Sequence, residues 1–205
     1  MASSLLHFAE ILQGQFKKIP AMINRRQFLS ALTVSAAGIL FPDEAFALAD
    51  NSGFWQRDRL LEMRRADTGE RRSIRFYAAD RGYLKDGYLA ARWFLRDAKD
   101  GNAVANIDAG LLNLLYGLQE WARIAGKSDP LITVNSAYRT ARRNATIEGA
   151  ARNSMHIHGR AVDLTMRGIS LRQLADMAAH FKAGGIGIYD SFIHLDTGRV
   201  RNWRG

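Results

Sequence analysis

The spacing of apolar and polar residues predicts that strands and helices alternate along most of the chain. Two runs near the start of the predicted folded part, 60–66 and 73–78, are typical of strands. The second run alternates in polarity, so one of its faces is expected to be buried. Between the two runs, Asp67-Thr-Gly-Glu70 contains the glycine of a hairpin loop. We therefore expect an antiparallel pair of strands here.

Three further segments are predicted as helices. Segment 89–95 is helical by composition. Segment 108–124 places its apolar residues three and four positions apart, so that one stripe faces the core. Asp108 is the predicted N-cap of that helix, and Ser170 is the predicted N-cap of a third helix over 171–181.

Short apolar runs rich in β-branched residues predict four more strands, at 131–134, 160–165, 186–189 and 192–196. The stretch 141–153 is rich in Arg, Asn, Ala and Gly and is predicted as a helix or a loop. Together these elements predict an α+β fold, in which a small antiparallel sheet has helices packed on one side.

Residues 1–47 have the composition of an export signal. Arg25 and Arg26 precede an apolar run at 31–41, and Ala45-Phe-Ala47 supplies the small-x-small pattern of a cleavage site. The apolar run is too short to anchor the protein in a bilayer. The paired arginines resemble a twin-arginine signal, so we expect export to the periplasm and cleavage after Ala47, with no membrane anchor left.

This prediction divides the chain into the signal, a short linker at 48–53 and one domain at 54–205. About 150 residues are enough for one domain with a sizeable core. Met22 is an alternative start of translation, because residues 1–21 do not resemble the start of a signal. An uncleaved amphipathic helix at the N-terminus is the alternative interpretation.

Two features of the composition narrow the chemistry. The chain contains no cysteine, which excludes disulfides and thiolate metal sites, so a metal ion must be bound by His, Asp or Glu. The formal net charge is +9, which favours an anionic partner such as nucleic acid, lipid headgroups or an acidic wall polymer. The familiar nucleic-acid recognition motifs are missing and the export signal argues against that partner, so we expect no nucleic acid.

A cluster of metal-ligand residue types stands in the last quarter of the chain. His156 and Asp163 are seven residues apart, and Gly159 between them allows a turn that brings the histidine back over the strand carboxylate. His194 lies on the last predicted strand, where Asp196 points to the same face. Two imidazoles and one carboxylate form the three-ligand set of a catalytic zinc, with the fourth position left to water. A single histidine is more often a core or surface group than a ligand.

The order of these residues resembles a known family. Ser154-x-His156-x-x-Gly159-x-Ala161-Val162-Asp163, followed by His194, is similar to the motif of the LAS-type zinc peptidases, the M15 group of D-alanyl-D-alanine carboxypeptidases and murein endopeptidases. Ser136-Ala-Tyr-Arg139 matches the Ser-x-Tyr-Arg element of the same group. The closing Phe192-Ile-His-Leu-Asp-Thr-Gly-Arg-Val-Arg-x-Trp203, with the export signal, resembles its periplasmic murein endopeptidase K branch. The resemblance covers 54–205.

The resemblance implies a Zn²⁺ site formed by His156, Asp163 and His194, on the sheet of a D-Ala-D-Ala carboxypeptidase-like fold. It also implies that Arg139 meets the substrate and holds a carboxylate, or the oxyanion that develops during the reaction. We expect Ser154 to fix the loop of the first histidine by a hydrogen bond.

The motif leaves the proton-transfer residue open. Many members of the group have an acid three residues before the last histidine, where this chain has Ser191. Asp190 is one position earlier, and Asp196 is two residues after the ligand, on its face. We favour Asp196, either as proton shuttle or as a hydrogen-bond support for His194. His158 is a further candidate, as an extra ligand or as a donor to the substrate.

The predicted function is zinc-dependent hydrolysis of peptide bonds in the stem peptides or crosslinks of peptidoglycan. This acidic polymer also fits the basic charge of the chain. We favour an endopeptidase over a D,D-carboxypeptidase. The alternative is a non-catalytic domain that retains the fold and binds the wall. The enzyme would release muropeptides from sacculi, whereas the binding domain would not.

Overall fold

The computed structural model of the protein describes residues 53–205. The predicted export signal (1–47) and residues 48–52 of the predicted linker lie outside this described part. Within it, none of the helices combines the length and the apolar character needed to cross a membrane.

Eight strands form one mixed sheet: β1 (Arg59–Arg65), β2 (Arg71–Ala78), β3 (Gly82–Tyr83), β4 (Ile132–Ser136), β5 (Ala161–Met166), β6 (Gly185–Ile188), β7 (Ile193–Asp196) and β8 (Arg201–Arg204). Their order across the sheet is β3-β2-β1-β4-β5-β7-β6-β8. Neighbouring strands are antiparallel, except that β1 runs parallel to β4 and β6 runs parallel to β8. The strands β5 and β7, which carry the candidate ligands, are therefore interior strands.

The helices of the described part are α1 (Lys85–Phe94), α2 (Ala109–Ile124), α3 (Ala141–Asn144) and α4 (Leu171–His180), with short 3₁₀ helices at Phe54–Gln56 and Met155–His158. The Asp108 carboxylate caps α2 by accepting a hydrogen bond from the Gly110 N–H at 2.8 Å. A capping box between Ser170 and Gln173 begins α4. Both caps satisfy N–H groups that the start of a helix leaves without partners, which is why these two helices begin where the sequence predicts.

The hydrophobic core lies between the long helices and one face of the sheet. Val162 of β5 and Leu195 of β7 are paired across the two strands, and neither side chain is exposed. They belong to the same buried cluster as Leu115 of α2 and Leu174 of α4. Because side chains alternate along a strand, the neighbours of Val162 and Leu195 point to the other face of the sheet. That second face carries the candidate ligands.

The α+β class and most of the predicted elements are confirmed, with ends shifted by a few residues. The predicted small antiparallel sheet is wrong in both size and pairing, because the sheet has eight strands and two parallel pairs. Two of its strands, β3 and β8, are absent from the prediction. Neither Gly82–Tyr83 nor Arg201–Arg204 has the apolar run that marks a buried strand, since both lie at an edge of the sheet.

Candidate metal site

A carboxylate and an imidazole meet on the face of the sheet opposite the core. Asp163 and His194 are directly paired residues of the antiparallel strands β5 and β7. The Oδ1 atom of Asp163 lies 2.9 Å from Nδ1 of His194. The register of two interior strands therefore sets their relative position, and a slip by one residue would turn one of them into the core.

The third candidate ligand, His156, comes from a loop. It lies in the 3₁₀ helix Met155–His158, whose N-cap Ser154 accepts a hydrogen bond from the His156 N–H at 3.3 Å. Gly159 ends this helix in the left-handed conformation, with φ +63°. A Cβ at that position would be 2.2 Å from the carbonyl oxygen of Asn106. Both the backbone conformation and the close approach require glycine, so the turn foreseen at this position is present.

The loop brings His156 to the paired strand residues. Its Nε2 atom lies 3.1 Å from Oδ1 of Asp163 and 3.1 Å from Nδ1 of His194. The three side chains are buried, and the three atoms all lie within 4.8 Å of one another. In a tetrahedral zinc site with bonds of about 2.0–2.1 Å, ligand atoms are about 3.3–3.4 Å apart. The observed separations are close to this value, so the group could hold a metal ion.

The outer nitrogen of each imidazole has an acceptor. Nδ1 of His156 donates to the carbonyl oxygen of Ala137 at 2.6 Å, and Nε2 of His194 donates to Oδ2 of Asp196 at 3.1 Å. Each neutral ring therefore carries its proton on the outer side and directs a lone pair inward. Two such lone pairs and a carboxylate oxygen repel one another unless a cation lies between them. This donor set fits a metal ion, and the outer acceptors are of the kind that orient metal-binding histidines.

Arg139 lies against the other oxygen of Asp163. Its Nη2 donates to Oδ2 of Asp163, and its Nε donates to Oγ of Ser136 at 2.8 Å. Burial raises the pKa of Asp163, but donation by the two imidazoles in their protonated form and the charge of Arg139 outweigh burial and hold that pKa well below its usual range. Burial lowers the pKa of Arg139, and Asp163 offsets part of this effect. The result is an ionised carboxylate, with one oxygen toward the imidazoles and one toward the arginine.

Asp196 lies behind His194, on the edge of the ring that faces away from the other ligand atoms. The carboxylate is fully buried. Besides His194, it accepts hydrogen bonds from Nη2 of Arg201 at 2.6 Å and from the N–H groups of Gly185 at 2.8 Å and Gly198 at 2.7 Å. Burial raises the pKa of Asp196, but these donors outweigh burial and keep that pKa well below its usual range. A Cβ on Gly185 would be 2.3 Å from Oδ2, so glycine makes room for the carboxylate.

Two residues singled out from the sequence are not brought into this group. Asp190 is exposed in the hairpin turn between β6 and β7. His158 is also exposed, with its Nε2 2.7 Å from Oδ1 of Asn153. Neither belongs to the set of ligand atoms that lie close together in the described part of the chain.

Several contacts of the site were not predicted from the sequence. The carbonyl oxygen of Ala137 is a backbone atom and has no sequence signal, and Arg201 lies on the unpredicted β8. Tyr189 and Trp203 also line the site face: Nε1 of Trp203 donates to Oη of Tyr189 at 3.0 Å. The centroid of the Trp203 indole lies 5.2 Å from that of the His194 ring. The sequence does contain one signal for Tyr189. Side chains alternate between the two faces of a strand, and this alternation places Tyr189 on the same face of the sheet as His194.

Two imidazoles and a carboxylate around one point, with a cationic side chain beside them, form a group that could hold one metal ion, as in the mononuclear metal hydrolases. The family model described as Peptidoglycan L,D-endopeptidase MepK, of the M15 peptidases, matches residues 55–203. The chain therefore belongs to this M15 family of murein endopeptidases, and the resemblance found in the motifs is confirmed.

Curated relatives agree with the family model. The chain is 33% identical over 186 residues to the peptidoglycan L,D-endopeptidase MepK of Escherichia coli (strain K12), which covers 88% of this chain and 97% of the relative. It is 32% identical over 188 residues to the probable peptidoglycan L,D-endopeptidase MepK of Haemophilus influenzae, which covers 89% of this chain and 96% of the relative. No solved structure matches the chain.

Proposed function

We propose that the protein is a zinc-dependent endopeptidase that hydrolyses peptide bonds in peptidoglycan. The observation that carries this proposal is the convergence of three inward-facing acceptor atoms, in a chain whose curated relatives are named peptidoglycan L,D-endopeptidases. His156, Asp163 and His194 would hold the ion through Nε2, Oδ1 and Nδ1. A bound zinc ion would polarise the peptide carbonyl and make water acidic enough to react near neutral pH.

Arg139 is the proposed contact for negative charge on the substrate. Its Nε and Nη2 atoms are occupied by Ser136 and Asp163. Its Nη1 atom has no hydrogen-bond partner among residues 53–205. The two occupied nitrogens fix the direction of the guanidinium beside the ligand group. Nη1 is then available for a substrate carboxylate, or for the oxyanion that develops as the peptide bond is attacked.

The two carboxylates considered for proton transfer have different surroundings. Asp196 is buried and accepts from four donors, which supports a role in holding the His194 ring rather than in carrying protons. Asp190 is exposed in the turn between β6 and β7, near the end of the strand that carries His194. We therefore assign the positioning role to Asp196. Proton transfer is assigned to Asp190 as the other carboxylate considered, although it lies in an exposed turn outside the ligand group. Asp190→Asn should lower kcat and leave the zinc content unchanged, and an unchanged kcat would remove this assignment.

Peptidoglycan as the substrate agrees with the composition of the chain. The net charge of +9 favours association with an acidic polymer. We propose that residues 1–47 direct the protein to the periplasm by the twin-arginine route, where domain 54–205 meets its substrate. N-terminal sequencing of the protein recovered from the periplasm tests this proposal. A chain that begins at residue 48 supports it, and one that retains residue 1 or residue 22 contradicts cleavage.

Digestion of purified sacculi tests the activity. Zinc-loaded protein should release muropeptides, a chelator should stop the release, and added zinc should restore it. Mass spectrometry of the products separates an endopeptidase, which opens crosslinks, from a carboxypeptidase, which removes only terminal residues. Full activity in excess chelator would exclude zinc dependence. Binding to sacculi without any product would instead favour the wall-binding domain, an alternative that the serine at position 191 keeps open.

A further inference from the structure

Tyr189 lies on the site face of the sheet and is not part of the function described above. It directly follows β6, two residues after Gly187, which is paired with His194 of β7. Residues two positions apart on a strand point to the same face. The Tyr189 ring stacks on Phe192, with centroids 4.7 Å apart and planes inclined by 21°. Phe192 precedes His194 by two residues, so both aromatic rings lie on the face of the candidate metal site.

Trp203 fixes the hydrogen-bonding role of the Tyr189 hydroxyl. The indole Nε1–H of Trp203 lies 3.0 Å from Oη of Tyr189. An indole nitrogen can only donate, so the hydroxyl oxygen must accept this bond. The phenolic proton therefore points elsewhere, and it has no acceptor among residues 53–205. A half-buried tyrosine thus presents an oriented donor that the described protein does not use.

Two contacts locate this donor beside the candidate metal site. The Trp203 ring that holds it packs on His194, with centroids 5.2 Å apart. Gly187 leaves the space for that ring, because a Cβ there would be 2.5 Å from the indole. The Tyr189 hydroxyl is therefore linked to the His194 ring through the Trp203 indole.

We propose that Tyr189 is a further substrate-contacting residue, whose hydroxyl donates a hydrogen bond to an oxygen atom of the bound peptide. This inference rests on the proposed function. The acceptor is either the oxygen of the cleaved carbonyl, on which negative charge develops, or a carboxylate oxygen of the substrate. The two cases differ in kinetics, because a bond made in the transition state acts on kcat and a bond made equally in the ground state acts on KM.

Tyr189→Phe tests the proposal, since it removes the hydroxyl and keeps the ring that stacks on Phe192. We expect kcat/KM for a soluble muropeptide to fall at least about tenfold, with zinc content and Tm unchanged. Tyr77→Phe is the matched control. Tyr77 lies on β2, near the opposite edge of the sheet from β6 and β8, where its ring packs against Tyr83. Removing the Tyr77 hydroxyl should leave kcat/KM unchanged.

Three results would decide against the inference or separate it from the proposed function. Equal kcat/KM of Tyr189→Phe and wild type overturns it. A fall that comes with loss of zinc or a lower Tm also overturns it, because the hydroxyl would then act on the structure. If the wild type itself releases no muropeptide, the proposed function fails, and the inference is then tested by the binding of the muropeptide to the zinc-loaded proteins. Weaker binding by Tyr189→Phe than by the wild type supports the contact, and equal binding overturns it.

Discussion

Oδ2 of Asp196 accepts a hydrogen bond from Nε2 of His194 at 3.1 Å, on the edge of the imidazole opposite the ligand atom Nδ1. The bond fixes both the rotation of the ring and the position of its proton. Because Asp196 is itself held by Arg201 and by two backbone N–H groups, the ring cannot turn without breaking a buried network.

Replacement of Asp196 by alanine should therefore weaken metal binding before it affects chemistry. We expect about 10- to 100-fold lower zinc affinity, and recovery of most of the turnover at saturating zinc. Competition with a chromophoric chelator measures the affinity, and muropeptide release measures the turnover. If the variant instead keeps its zinc and loses turnover, Asp196 is the proton shuttle.

His194→Ala should remove one of the three ligands and with it the ion. We expect the zinc content to fall from about one ion per chain to near zero after gel filtration, together with loss of muropeptide release. His158→Ala is the matched control, because that histidine is exposed and lies outside the ligand group. A His158→Ala protein that also loses zinc would show that the ligand set is different.

Arg139→Ala should separate substrate stabilisation from metal binding. Removing a charged donor beside the reacting group is expected to lower kcat/KM by about 10²- to 10³-fold, while zinc content stays the same. Arg142→Ala provides the comparison: this arginine forms an ion pair with Asp100, but its side chain is largely exposed and water screens the pair, so kcat/KM should not change. Loss of zinc in Arg139→Ala would mean that the guanidinium supports the ligand Asp163 instead.

Gly159→Ala should lower the free energy of unfolding by more than the cost of a left-handed alanine, because the new Cβ also disturbs the loop of His156. A left-handed alanine costs about 1–2 kcal/mol, which is the decrease in unfolding free energy expected for Gly126→Ala, with φ +84° and no atom within 4 Å of the new Cβ. At Gly159 the Cβ also meets the carbonyl of Asn106. We expect a larger decrease there, with weaker zinc binding, in urea unfolding and zinc titration. Equal decreases in the two variants would show that the loop can move aside.

The core of this fold was predictable from the sequence because local signals and burial agree. Asp108 and Ser170 cap helices where their side chains and the following apolar spacing indicate, and β5 and β7 are short runs of β-branched and apolar residues. The parallel pairing of β6 with β8 was not predictable. The strand Arg201–Arg204 is held by backbone bonds to a neighbour and alternates intermediate with exposed residues, so its side chains carry no burial pattern.

The site divides in the same way. Residue types and spacing, with the family motif, led to His156, Asp163 and His194, and the structure brings their ligand atoms together. The directions of the imidazoles depend on the carbonyl of Ala137 and on a carboxylate two residues away, and only three-dimensional contacts reveal the first of these. The sequence also left Asp196 with two roles, and it is the number of donors around its carboxylate that favours one of them.

The sheet separates two populations of side chains, with the packed helices on one surface and the candidate ligand group on the other. Substitutions of core residues that pack against α2 or α4 can therefore change side-chain volume and thermal stability with little effect on the candidate site. Changes on the opposite surface, around Gly187 and Gly185, have no such freedom, because they act directly on the indole and the carboxylate that contact His194. Divergence within the family should accordingly be concentrated on the helical side, and engineering for thermal tolerance has the best prospects there.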